Sequence, residues 1–138
     1  MEKYIHLLIL EDRTSDADLI EFELMAAGLT FTSKRTTNRK EFLRELKKFS
    51  PDLILSDYNL PQYNGAMALV EAKRLHPKVP FILVTGAFDE AGEQLNEILA
   101  KGADDCVFKN RLDRLAPAVH KALRIRTRTR KRSLHHSQ

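Results

Sequence analysis

The chain has 138 residues, 43% of them apolar and 30% charged, which are the length and composition of one globular domain. No apolar run approaches the roughly 20 residues that cross a bilayer, and the N-terminus lacks a signal-peptide pattern, so we expect a cytoplasmic protein. The single cysteine, Cys106, excludes an internal disulfide and a cysteine-rich zinc cluster.

The formal net charge of +4 is unevenly distributed. Residues 111–138 contain nine Lys or Arg and one Asp. Of the chain's 23 basic and 19 acidic residues, 14 and 18 therefore fall in residues 1–110, a net charge of −4. The globular part is mildly acidic, and we do not expect it to bind nucleic acid or membranes. We predict a domain over residues 1–124 and, at 125–138, a basic helix extension or linker, in preference to a segment that binds nucleic acid or acidic lipid.

The first apolar run, residues 4–10, is nearly continuous, which is typical of a parallel strand buried on both faces. A helix is predicted after Glu11 and Asp12, with four inward positions at helical spacing: Ala17, Ile20, Leu24 and Ala27. Gly28 is expected to follow its C-cap. Residues 31–36 are more polar, which predicts an edge strand.

Asn38 and Glu41 resemble a capping box at the start of a second helix, whose inward residues are Phe42, Leu46 and Phe49. A third strand, residues 53–57, ends on the carboxylate of Asp57. The loop 58–64 leads to a third helix over 65–75, and a fourth strand, 81–85, ends on Thr85.

Asp89 is predicted to cap a fourth helix that buries Ala91, Leu95 and Ile98 and ends at Gly102. A short fifth strand, residues 106–108, precedes Lys109. The last helix presents four apolar positions on one face: Leu112, Leu115, Val119 and Leu123.

Five strand–helix units with short connections predict an α/β fold with parallel strands, right-handed crossovers and helices on both faces of the sheet. We expect a five-stranded, doubly wound, flavodoxin-like sheet of strand order 2-1-3-4-5. In such sheets the functional site lies beyond the carboxyl ends of the strands.

The side chains at those strand ends are Glu11, Asp12, Asp57, Thr85 and Lys109. Three carboxylates placed together repel one another, and an oxygen-only ligand set favours bound Mg²⁺. Lys109 and Thr85 offer a charge and a hydrogen bond to a tetrahedral oxyanion. Asp57 is then a carboxylate that can attack phosphorus and form an acyl phosphate.

These motifs, in this order, resemble the response-regulator receiver family over residues 4–123. The matching segments are the acidic pair 11–12 (ED), residues 57–65 (DYNLPQYNG), 85–87 (TGA) and 102–109 (GADDCVFK). The resemblance implies a signalling domain that catalyses only its own phosphorylation and dephosphorylation. It implies that Asp57 accepts phosphate from a histidine kinase or phosphotransfer protein. It further implies that the backbone carbonyl of Asn59 completes the Mg²⁺ site and that Thr85 moves toward the phosphate.

Two positions depart from the family pattern. The family's switch position, usually Tyr or Phe, is Cys106, which cannot report a switch by burying a ring. Asn110 replaces the usual Pro after Lys109. Because a non-proline cis bond costs about 3 kcal/mol, a trans bond or deliberate strain is expected. Residues 109–119 resemble receivers attached to sensor histidine kinases, whereas no output module is recognisable.

Two other functions stay open. Phosphohydrolases with an aspartyl nucleophile share the metal, lysine and threonine, but they carry an Asp-x-Asp pattern on their first strand, whereas this chain has Asp57-Tyr58-Asn59. A degenerate receiver would act only as a protein-interaction module, which Cys106 and Asn110 favour and the retained site residues disfavour. Taken singly, Glu11 and Asp12 also suit a helix N-terminus, and Thr85 also suits a strand.

Overall fold

A computed structural model of the chain describes residues 4–86 and 93–124. Five parallel strands form one sheet: β1 (Ile5–Leu10), β2 (Phe31–Thr36), β3 (Leu53–Ser56), β4 (Phe81–Thr85) and β5 (Asp105–Phe108). Their order across the sheet is β2-β1-β3-β4-β5, every neighbouring pair is parallel, and the predicted α/β fold and strand order are confirmed.

Burial follows each strand's place in the sheet. Every residue of β3 and β4 is buried, because both strands are central and covered on both faces. In β2 only Thr36 is buried, which confirms the predicted edge strand. The uninterrupted apolar runs at residues 53–55 and 81–84 therefore mark strands in the middle of the sheet.

Helices cover both faces of the sheet: α1 (Thr14–Ala26), α2 (Arg39–Lys48), α3 (Gly65–Leu75), α4 (Glu93–Ala100) and α5 (115–124), the last preceded by a 3-10 turn, Lys109–Arg114. One apolar cluster packs α1 and α5 against the sheet through residues such as Leu24 and Val119. The other packs α2, α3 and α4 through Phe42, Leu69 and Ile98. The predicted inward positions are largely confirmed.

Ala27 is the exception on α1. It is exposed as the C-cap residue, so the prediction that it faces the core is wrong. Gly28 has a φ of +86°, and the Leu29 N–H reaches the Leu24 carbonyl at 3.1 Å. This left-handed glycine turns the chain out of the helix one residue earlier than the apolar spacing indicated.

The N-terminus of α2 confirms the predicted cap, since the Glu41 N–H donates to Asn38 Oδ1 at 2.9 Å. The return bond differs from that of a capping box. Glu41 Oε1 accepts from the Thr37 N–H at 2.8 Å and from the Thr37 hydroxyl at 2.9 Å. The acidic residue therefore stabilises the residue before the cap.

The predicted loop 58–64 contains a short antiparallel pair, Asn59–Leu60 with Tyr63–Asn64. Among the described residues there is no cis peptide bond, so the bond between Lys109 and Asn110 is trans. Within the same residues, no helix has the length and apolarity needed to cross a membrane. Outside the described residues lie Ala87 of the matching segment 85–87, the predicted Asp89 cap, the predicted inward residue Ala91 and the segment 125–138.

Candidate functional site

Backbone hydrogen bonds place two carboxylates at the carboxyl edge of the sheet. The Glu11 N–H donates to the Thr36 carbonyl and the Asp57 N–H to the Leu10 carbonyl, each at 2.9 Å. Both bonds extend the strand ladder one residue past β1 and β3. Thr85 ends β4 and Lys109 follows β5 at the same edge.

The ammonium of Lys109 lies at the centre of this edge. Its Nζ is 2.7 Å from Glu11 Oε1, 2.8 Å from Asp16 Oδ2 and 3.0 Å from Asp57 Oδ2. Burial of the ammonium opposes its charge, but the hydrogen bonds to Asp16 and Asp57 and the ion pair with Glu11 outweigh burial and raise the pKa of Lys109. Lys109 is therefore a firmly charged cation shared by three carboxylates.

Asp57 is 8% exposed, and both its oxygens have partners. Oδ1 accepts a hydrogen bond from the Tyr58 N–H at 2.7 Å, and Oδ2 accepts one from Lys109. Neighbouring donors thus fix the carboxylate in orientation, and the small exposed fraction leaves it a path to solvent.

Glu11, Asp12 and Asp57 each offer an oxygen, and these oxygens lie within 4.8 Å of one another. Glu11 is 3% exposed, and its burial raises the pKa of its carboxyl, with the charge of Asp57 adding to the rise. Asp12 is exposed. Buried and exposed carboxylates of this kind form an all-oxygen cluster that fits a hard divalent cation such as Mg²⁺.

Asn59 begins the antiparallel pair that follows Asp57. It is exposed, and it lies opposite Asn64, whose side chain caps α3 by accepting from the Met67 N–H at 2.9 Å. The turn that carries Asn59 is therefore held to the start of a helix close to Asp57.

Thr85 and Cys106 lie on one face of neighbouring strands. Leu83 pairs with Cys106 and Thr85 with Phe108, so alternation of side chains puts Thr85, Leu83 and Cys106 on the same face. Thr85 is fully buried, whereas Cys106 is half-buried against the α2–α4 cluster. Burial, with the charge of Asp105, raises the pKa of the Cys106 thiol to about 11.

Sequence reasoning missed two residues of this edge. Asp16 carries no motif of its own, and only its place in the first turn of α1, four residues after Asp12, could have suggested it. Gly65 was noted as part of a motif without a reason. A Cβ built on Gly65 would lie 3.0 Å from the Asp57 carbonyl oxygen and 3.2 Å from Tyr58 Cα, so glycine lets α3 approach the backbone of Asp57.

The family model of the response regulator receiver domain matches residues 7–120 of this chain. The chain therefore belongs to the response regulator receiver domain family. Receiver domains are signalling domains rather than classical enzymes, and they generally bind Mg²⁺ at an acidic pocket, which is the character of the cluster formed by Glu11, Asp12 and Asp57.

Curated relatives are longer proteins. The regulatory protein LuxO of Vibrio vulnificus strain YJ016 is 34% identical over 119 residues, which are 84% of this chain and 25% of LuxO. The DNA-binding transcriptional regulator NtrC of Escherichia coli K12 is 35% identical over 81 residues, 59% of this chain and 17% of NtrC. The chain thus spans about a quarter or less of these two relatives.

Solved structures share the fold. A CheY-like response regulator receiver domain protein from Methanospirillum hungatei JF-1 superposes with a TM-score of 0.78 at 23% identity, covering 92% of this chain and 99% of that one. The beryllofluoride-activated DrrB receiver domain gives a TM-score of 0.75 at 22% identity, covering 88% and 99%.

Proposed function

We propose that the domain is the phosphoacceptor of a two-component phosphorelay and that Asp57 receives the phosphoryl group. The observation that carries this proposal is the setting of Asp57. Its carboxylate is nearly buried at the carboxyl edge of the sheet, oriented by the Tyr58 N–H and by Lys109, and it adjoins Glu11 and Asp12.

In the proposed reaction, a carboxylate oxygen of Asp57 attacks the phosphorus of a phosphohistidine. The new P–O bond forms as the P–N bond breaks, and the electron pair leaves with the imidazole of the donor. The ammonium of Lys109, already 3.0 Å from Asp57, neutralises a phosphoryl oxygen. Thr85, at the end of β4, donates its hydroxyl to another.

Glu11, Asp12, Asp57 and the backbone carbonyl of Asn59 would hold Mg²⁺. The bound ion supplies positive charge that offsets the phosphoryl oxygens during transfer and during the later hydrolysis of the acyl phosphate. The chain's own residues place the nucleophile and the compensating charges, so the domain catalyses only its own phosphorylation and dephosphorylation.

The partner implied by this chemistry is a histidine kinase or a phosphotransfer protein, which we place in the cytoplasm, where the ATP that supplies the phosphoryl group is made. Cys106 occupies the proposed switch position on the same face as Thr85, so a signal passing along that face meets a small thiol rather than a ring. The basic segment 125–138 is proposed to be an extension or linker.

The test is phosphorylation of the full chain with Mg²⁺ and acetyl phosphate, followed by intact mass measurement. We expect one added phosphoryl group on the wild type and none on Asp57→Asn. Labelling that persists in Asp57→Asn would overturn the proposal. A Mg²⁺ titration showing no binding would favour a degenerate interaction module, and repeated turnover of a phosphomonoester would favour a phosphohydrolase.

A further inference from the structure

Asp16 is a partner of Lys109 that stands apart from the acidic cluster. Its Oδ2 lies 2.8 Å from Lys109 Nζ, and the distance from the same Nζ to Glu11 Oε1 is nearly equal, 2.7 Å. The two residues are 93 positions apart, and both side chains are about one-fifth exposed. The contact therefore joins the first turn of α1 to the end of β5 at the rim of the site.

The carboxylates around Lys109 fall into two groups. Glu11 and Asp57 also belong to the cluster whose oxygens lie within 4.8 Å of one another, whereas Asp16 does not. A cation bound at the cluster would be coordinated by Glu11 and Asp57, whereas Asp16 would stay paired with Lys109. The ammonium of Lys109 has one positive charge for three carboxylates. A stronger interaction with one carboxylate therefore weakens its electrostatic interaction with the other two.

We propose that Asp16 is a positioning residue that shares Lys109 with the phosphorylation site. By drawing the ammonium toward α1, Asp16 keeps Glu11 and Asp57 open to a divalent cation. Through the same interaction, Asp16 competes with a tetrahedral anion bound at Asp57 for the ammonium of Lys109. This inference rests on the proposed function, because it assigns Asp16 a role in the binding of Mg²⁺ and of the phosphoryl group.

The sharing predicts effects of opposite sign. Asp16 Oδ2 and Asp57 Oδ2 both lie within 3.0 Å of one Nζ, so they are at most about 6 Å apart. At that separation, between the limits of bulk water and a partly buried site, removing a unit charge changes a dissociation constant roughly 3- to 100-fold. Asp16→Asn should therefore weaken Mg²⁺ binding and, once Mg²⁺ is saturating, tighten the binding of beryllofluoride, a phosphoryl analogue.

The experiment is a pair of titrations of the full chain, followed by NMR: Mg²⁺ alone, then beryllofluoride at saturating Mg²⁺. Asp18→Asn is the matched control, because Asp18 lies on the same helix and pairs with Arg35 at 2.7 Å, away from Lys109. We expect Asp16→Asn to raise the Mg²⁺ dissociation constant and lower that of beryllofluoride, each roughly 3- to 100-fold. Asp18→Asn and the charge-preserving Asp16→Glu should stay near wild type.

Outcomes other than opposite shifts overturn the inference. Weaker binding of both ligands would show a merely structural role. Unchanged dissociation constants would show that Asp16 does not compete for Lys109. If Asp16→Asn fails to fold, Asp16→Ser replaces it with the same expected signs. Failure of the proposed function is distinguishable in the wild type, because a degenerate receiver would bind neither Mg²⁺ nor beryllofluoride, and a phosphohydrolase would turn over a phosphomonoester repeatedly.

Discussion

Aspartates lie at both edges of the parallel sheet, but their partners differ. At the amino edge, Asp52 accepts a hydrogen bond from the His6 N–H at 2.9 Å, and Asp104 accepts one from the Phe81 N–H at 2.7 Å. In turn, the Asp52 N–H donates to the His6 carbonyl and the Asp104 N–H donates to the Phe81 carbonyl, each at 2.8 Å. These carboxylates complete the backbone hydrogen bonding where β1 and β4 begin.

At the carboxyl edge the carboxylates crowd one another. Glu11, Asp16 and Asp57 share one ammonium, and Asp12 adds a further charge to the cluster. The difference teaches that a carboxylate stabilises the fold where it pairs with backbone groups, and that it suits the proposed ligand site where its charge is left only partly compensated. Substitutions at four principal positions test this contrast between the edges: Lys109, Asp104, Gly65 and Cys106.

The largest effect is expected for Lys109→Met, which removes the ammonium from three carboxylates. We expect the free energy of unfolding to fall by about 3 kcal/mol, because uncompensated charges are left in a largely buried site. Added Mg²⁺ should recover part of this loss by replacing the missing cation. Urea denaturation with and without Mg²⁺ measures both effects.

Lys73→Met is the matched control at the amino edge. Lys73 donates to the Val79 carbonyl at 2.9 Å and pairs with Asp104 at 3.1 Å. We expect a loss of about 1 kcal/mol and no recovery by Mg²⁺, since one exposed pair and one hydrogen bond are removed. Equal losses, or equal recovery by Mg²⁺, would contradict the contrast between the edges.

Asp104→Ala should destabilise the fold without removing the proposed phosphorylation. It leaves the Phe81 N–H without its carboxylate, and an unpaired backbone donor costs about 2 kcal/mol. Thermal denaturation should show the lower midpoint, while acetyl phosphate still labels Asp57. Asp52→Ala, which removes the equivalent bond to His6, should behave alike. Loss of labelling in a folded Asp104→Ala protein would argue that the two edges are not separable.

Gly65→Ala tests the close approach of α3 to the site. The added Cβ would meet the Asp57 carbonyl oxygen at 3.0 Å, so the backbone must move. We expect a loss of about 1.5 kcal/mol and slower labelling of Asp57 by acetyl phosphate. Gly86→Ala is the control for stability, because among the described residues, its chain neighbours aside, no atom lies within 4 Å of its Cβ position. Its free energy of unfolding should change by no more than about 0.5 kcal/mol.

A pH-dependent effect concerns Cys106, on the strand that joins Asp104 at one edge to Lys109 at the other. Its pKa is raised in the folded protein to about 11 from an ordinary 9.0, so folding favours the neutral thiol. The resulting stability is fully present below about pH 9 and is lost as the pH rises toward about 11. The difference in urea midpoint between wild type and Cys106→Ala should shrink over that window.

Alkylation gives a second readout of Cys106. A pKa two pH units higher lowers the thiolate fraction about 100-fold near pH 8, so iodoacetamide should react slowly with the folded protein. Reaction should accelerate once urea unfolds the chain. Equal rates in the folded and unfolded protein would show that the thiol is not protected.

Local patterns in the sequence predicted most of the fold. The bounds of α3, Gly65–Leu75, and of β4, Phe81–Thr85, are those that the apolar periodicity and the turn residues indicated. Such signals are local, since burial of a strand or of one helix face repeats within a few residues. The short antiparallel pair around Asn59 was not predicted, because two-residue strands leave no periodicity to read.

By itself, the sequence determined a sheet of five parallel strands and most of the side chains at its carboxyl edge, because parallel strands joined by helices bring their ends to one side. Only the tertiary structure decided which of those charges meet. The contact of Asp16 with Lys109 and the approach of Gly65 to Asp57 depend on how α1 and α3 pack on the sheet. Distances of a few tenths of an ångström between residues far apart in the chain are set by packing, and no local pattern encodes them.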